Sequence, residues 1–76
     1  MFNFPSKEIV ERLREQYPEG TRVRLLRMND PYMHKLKVGE LGTVRYVDDA
    51  GTIWVRWDCG SGLGVAYGED LCEVVA

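Results

Sequence analysis

Between Gly20 and Val74 the chain divides into short β-branched and aromatic runs separated by Gly and Asp turns, and this rhythm limits its fold more than any other feature. Val23 to Met28, Gly42 to Val47, Thr52 to Trp57, Leu63 to Val65 and Cys72 to Val74 are the predicted strands. Apolar residues that alternate between turn formers describe pleated segments with one buried face. Five strands in so short a span favour closure into a small barrel, because closure removes edges that would pair with other chains.

A helix precedes them. Ser6 is placed as its N-cap, Glu8 suits its positive end, and Ile9, Val10, Leu13 and Tyr17 recur at helical spacing as one apolar stripe. Glu8 with Arg12 and Glu11 with Arg14 occupy the opposite side, and Pro18 and Gly20 end the segment. So short a helix is marginal alone, and the brief Pro18-Glu19-Gly20 connection favours docking on its own barrel. The expected architecture is one mainly β domain over 1–76, with the helix in 1–18 and a five-stranded barrel in 19–76.

Composition places function on the surface. A chain of 76 residues is one domain, and a domain of that size buries only about 60% of its unfolded surface, leaving little room for an internal catalytic cavity. Its 45% hydrophobic and 29% charged residues are ordinary for a globular chain. No apolar run approaches the roughly 18 residues of a membrane span, and Met1 to Glu8 lacks a secretory pattern, so a cytoplasmic protein without a membrane partner is expected. Cys59 and Cys72 are too few for a disulfide scaffold and are expected reduced.

The turns refine the fold. A long excursion from Asn29 to Leu41 ends in Val38-Gly39-Glu40-Leu41-Gly42-Thr43-Val44, with Gly39 and Gly42 suited to a sharp positive-φ re-entry. Asp48-Asp49-Ala50-Gly51 and Asp58-Cys59-Gly60-Ser61-Gly62 read as tight hairpins, and Gly68-Glu69-Asp70-Leu71 as a single 3₁₀ turn. This order resembles the SH3-like barrel, and Gly39-Glu40-Leu41-Gly42-Thr43-Val44 resembles the KOW element of ribosomal and transcription-factor relatives. Together with Pro18 to Leu25, Asp48 to Ile53, Val55 to Asp58, Gly60-Ser61 and Gly68 to Asp70, these motifs resemble a small family of unknown function carried by bacteria, phages and mobile elements. The resemblance runs over about residues 18 to 75. It implies the barrel and a phage or mobile-element setting, and it carries over no catalytic residues.

Chemical motifs mostly dissolve on inspection. Ser61 lies between glycines, but a nucleophile elbow needs Gly-x-Ser-x-Gly on a strand-to-helix turn, and position 59 is Cys. Gly60 to Gly64 lacks the Lys and the following helix of a phosphate loop. His34, Cys59 and Cys72 have no zinc-ligand spacing, so neither a metal nor another cofactor is expected.

Charge distribution is more informative. Acidic residues Asp30, Glu40, Asp48, Asp49, Asp58, Glu69 and Asp70 fall in turns, whereas Arg22, Arg24, Arg45 and Arg56 fall inside strands. If Val23, Leu25, Val44, Tyr46, Ile53, Val55 and Trp57 point inward, then those arginines and Trp54 share the outer face. The plain reading is that the arginines cover sheet surface and pair with turn carboxylates. The functional reading is a site in which guanidinium groups hold an anion and Trp54 offers a stacking surface. Tyr32, Met33 and Tyr67, near the long loop and last turn, form with Trp54 a competing aromatic surface suited to a protein partner. The leading expectation is a non-enzymatic module, a phage or mobile-element protein that inhibits or adapts a host protein, as monomer or homodimer. The alternative is nucleotide or nucleic-acid binding by the Arg and Trp face, including sequestration of a small phosphorylated signal. A formal charge of −2 opposes extended duplex binding.

Overall fold

The computed structural model of the chain describes residues 5–29 and 36–75. Helix α1 spans Lys7–Gln16 and opens as its sequence dictates, with Ser6 Oγ accepting from Ile9 N–H at 3.3 Å. Pro18 ends it, because the residue before a proline is driven from helical ψ and Tyr17 sits at φ −127°, ψ 62°. Val10 is buried and Ile9 half-buried, while Leu13 and Tyr17 are half-buried against the core of the sheet. The helix docks on its own chain. Arg14 fastens it, donating from Nε to the Val47 carbonyl at 3.1 Å and pairing with Asp49 at 2.7 Å rather than with the expected Glu11.

Five strands follow: β1 Arg22–Arg27, β2 Leu41–Val47, β3 Thr52–Trp57, β4 Gly64–Ala66 and β5 Leu71–Val74. They form one antiparallel sheet in the order β4-β3-β2-β1-β5. Mainly β, with one leading helix and five strands, the fold matches the sequence expectation. Closure does not follow. The sheet stays open between β4 and β5, and the turn joining them explains why. Asp70 accepts Ala66 N–H at 2.9 Å through Oδ2, and the Ala66 carbonyl accepts from Glu69 and Asp70 N–H at 3.1 and 2.9 Å. Both backbone groups of the last β4 residue are thereby taken by the turn. Asp70 Oδ1 also accepts Asn29 N–H at 2.8 Å, tying the start of the long excursion to the same point.

The core is Val23, Leu25, Leu36, Val44, Val47, Ile53, Val55, Trp57, Val65 and Cys72. Trp57 is 1% exposed and satisfies its indole N–H on the Leu63 carbonyl at 2.9 Å. Leu36, which strand alternation did not reach, seals the core at the return of the excursion. Gly39 has the expected positive φ of 97°, but Gly42 is needed for space: a Cβ there would lie 2.5 Å from Val55 Cγ1 and 2.7 Å from Trp57 Cε3.

Candidate functional site

The outer face of the sheet is organised by Asp48. As the first residue of the β2–β3 turn, its carboxylate accepts Ala50 N–H at 3.0 Å and Thr52 N–H at 2.9 Å on Oδ1. Short acidic side chains favour such turns because they mimic a backbone acceptor two residues on. Oδ2 accepts the Trp54 indole N–H at 3.0 Å. Desolvation acts upward on the Asp48 pKa, but the bonds from Trp54, Thr52 and Ala50, aided by the Arg14 charge, hold it below the ordinary carboxylate value.

Trp54 is half-buried, not fully exposed as alternation alone suggested. Its cross-strand neighbour on β4 is Gly64, where a Cβ would fall 3.0 Å from Trp54 Cε3 and 2.5 Å from Thr52 Cγ2. The absent side chain leaves room for the indole to lie across the strand. On the other flank Trp54 pairs with Tyr46, the two rings stacked at 29° with centroids 6.4 Å apart. Such offset geometry contributes about 0.5–1.5 kcal/mol beyond area burial.

Tyr46 was expected inside and is 51% exposed. A β-bulge is responsible: Val44 faces Val55 and Tyr46 faces Trp54, so Arg45 is an extra residue in β2. The bulge turns Tyr46 outward and restores Val47 to the core. Two outward residues between Val44 and Val47, in place of strict alternation, are the signal that marks it in sequence. Arg45 then hangs beside the pair, its guanidinium carbon 6.0 Å from the Tyr46 ring centre, at the edge of cation–π range.

The arginines divide into two kinds. Arg22 grips Asp58 with both terminal nitrogens, at 3.0 and 2.7 Å, and also donates to Thr43 Oγ1 at 3.0 Å. This fork holds the Asp58 pKa down and the Arg22 pKa up. Arg24 pairs with Glu73 at 2.9 Å. For Arg22 the plain reading, guanidinium on a turn carboxylate, holds, whereas Arg24 finds its carboxylate within the neighbouring strand β5. Arg56 stands in register with Thr43 and Arg22 and, like Arg45, is exposed and makes no ion pair among the described residues. Trp54, Arg45 and Arg56 are therefore the part of the expected site that comes together, and Tyr46, expected in the core, joins them.

Tyr67 does not join them. It stands at the rim of a separate hollow of about 350 Å³ under α1, at the open seam between β4 and β5, lined also by Leu13, Tyr17, Ile53, Val65 and Cys72. Tyr17 Oη donates to the Cys72 carbonyl at 3.4 Å across its floor. Burial pushes the Cys72 thiol up to about 11, so the group is an uncharged wall. Tyr32, Met33 and His34 lie outside the described residues.

The model of a family described as Domain of unknown function (DUF4314) matches residues 6–75. The chain belongs to this family. No curated protein and no solved structure matches it. The DUF4314 description assigns no chemistry, so any function attributed to this member rests on the geometry of its outer face. Among the described residues, no helix is long and apolar enough to cross a membrane.

Proposed function

We propose that this DUF4314 domain is a non-enzymatic binding module that engages a protein partner through the Trp54–Tyr46 face of its sheet. The observation that carries this reading is the stacked ring pair, pinned at its edge by Asp48 and seated over Gly64. Trp, Tyr and Arg dominate interface hot spots, and side chains already held in one geometry lose little freedom on binding. The titratable groups with defined geometry are committed elsewhere: Asp70 to backbone donors, Asp58 to Arg22, and Cys72 to the core. Phosphate recognition is the weaker reading. Two of the four arginines are already paired, and the Asp48 carboxylate at the indole edge repels a second anion there. An inhibitor or adaptor of a host protein, in the phage or mobile-element setting that the sequence resemblance implies, suits such a module and a cytoplasmic location.

Tyr46→Ser tests the reading cleanly, because the ring is half in solvent and the strand beneath it is paired on both sides. Proteins retained by the immobilised domain from a host extract are identified, then titrated individually as purified proteins against parent and variant. A true partner binds Tyr46→Ser weaker by about 1–3 kcal/mol, roughly 5- to 150-fold. Partners indifferent to Tyr46, or tight binding of nucleotides or oligonucleotides that depends on Arg56 and Trp54, would overturn it.

A further inference from the structure

We infer that the segment captured on this face is acidic, an extended stretch of the partner in which carboxylates flank an apolar or aromatic side chain. The inference rests on the protein-binding reading and adds the chemistry of the partner. Its basis is the unequal fate of the four strand arginines. Asp58 and Glu73 neutralise Arg22 and Arg24, and no carboxylate of the described residues pairs with Arg45 or Arg56. Those two groups border the rings: Arg45 precedes Tyr46 at the bulge and approaches its ring, and Arg56 lies two residues beyond Trp54 on the same face of β3.

The imbalance is local. The whole chain carries a formal charge of −2, yet on this face the four guanidinium groups of Arg22, Arg24, Arg45 and Arg56 outnumber the carboxylates of Asp48, Asp58 and Glu73. Asp58 and Glu73 are paired with Arg22 and Arg24, and Asp58 also feels the Arg56 charge. An acidic segment is attracted to that side and repelled by the remainder, so charge selects the docking face as well as the partner. Guanidinium suits the task, since its planar fork accepts a carboxylate bidentately and it is weakly hydrated. Asp48 and Asp58 oppose any anion at the indole edge, but singly charged carboxylates spaced along a peptide to reach Arg45 and Arg56 meet less of that repulsion than closely repeated phosphates.

The test is selection of short random peptides on the immobilised domain, followed by titration of the enriched peptides against Tyr46→Ser, Arg45→Gln, Arg56→Gln and the Arg24→Gln control. Enriched sequences are expected to place Asp or Glu on either side of an apolar residue. Each of Arg45→Gln and Arg56→Gln should weaken them by about 2- to 5-fold at low ionic strength, the range of exposed ion pairs. The effect should vanish in about 1 M salt, where the screening length is about 3 Å. Arg24→Gln should change affinity little. Enriched peptides that need Tyr46 but carry no acidic bias would overturn the acidic segment and leave the protein-binding face standing. Enrichment indifferent to Tyr46, or none, would overturn both. Circular dichroism of each variant confirms that the comparison is made on folded protein.

Discussion

Asp48→Asn isolates the bond on which the candidate site depends. Three N–H donors converge on this carboxylate: Ala50 and Thr52 on Oδ1, and the Trp54 indole on Oδ2. An asparagine has one acceptor oxygen. If it keeps the two turn bonds, its amide nitrogen faces the indole N–H, donor against donor. Loss of a hydrogen bond to a charged group costs about 1.5–3 kcal/mol. The site is half-buried, so the lower half applies, and about 2 kcal/mol is expected from a domain whose total stability is about 5–10 kcal/mol. The variant should fold.

Urea midpoints followed by tryptophan fluorescence and circular dichroism measure the loss. Trp54→Phe removes the donor, so Asp48→Asn in that background should cost about 1–2 kcal/mol less than in the parent. The pH dependence supplies a second reading. Because the folded pKa lies below the ordinary 3.8, the Asp48 contribution is fully present above the unfolded value and is lost as pH falls through the folded one. Acid should therefore erode the stability of Asp48→Asn less steeply than that of the parent below pH 3.8. A loss under 0.5 kcal/mol, or additivity with Trp54→Phe, would show that the indole is not held by this bond (about 0.5 kcal/mol is the limit for non-interacting sites). The pre-organised platform would then be lost from the argument.

Leu13→Ala tests helix docking: Leu13 is half-buried and borders the existing hollow, so the cost should be about 1.5–2.5 kcal/mol, at the low end for a leucine truncation. An unchanged denaturation midpoint would mean that α1 is detached. At pH 8, thiol labelling should modify half-buried Cys59 well before Cys72, whose pKa near 11 and 8% exposure both suppress the thiolate. Since that pKa is raised, the Cys72 contribution is intact below its ordinary value of 9.0 and lost as pH climbs through 11, a decline that Cys72→Ala should lack. Equal labelling rates would refute the packing of β5 over the thiol.

What could be read in the sequence depended on how far apart the deciding groups lie. β3 was predicted residue for residue, because Thr52 to Trp57 alternates between two turns and carries its own boundaries. The helix was equally local, from the Ser6 cap to the Pro18 stop. The open seam was not, since it depends on Asp70 reaching Ala66 on one side and Asn29, far back along the chain, on the other. No periodicity announces that a carboxylate will occupy the groups a closing strand needs.

The candidate site shows the same division more sharply. Trp54 and Arg56 were legible as outward residues of one strand, but their partners required the register of β2, and the bulge at Arg45 altered that register by one residue. A shift of one position exchanges the two faces of a strand, which is how Tyr46 passed from assumed core to half of the stacked pair. Charge followed suit. The four arginines looked equivalent in sequence, and only the fold brought Asp58 to Arg22 and Glu73 to Arg24 across the sheet. The surviving asymmetry therefore belongs to the register, and it is sensitive to that register. Deleting Arg45 would straighten β2 and remove one cation, yet Tyr46 would then follow Val44 directly and still face outward opposite Trp54, so the bulge adds the charge of Arg45 to an aromatic pair that the cross-strand register sets.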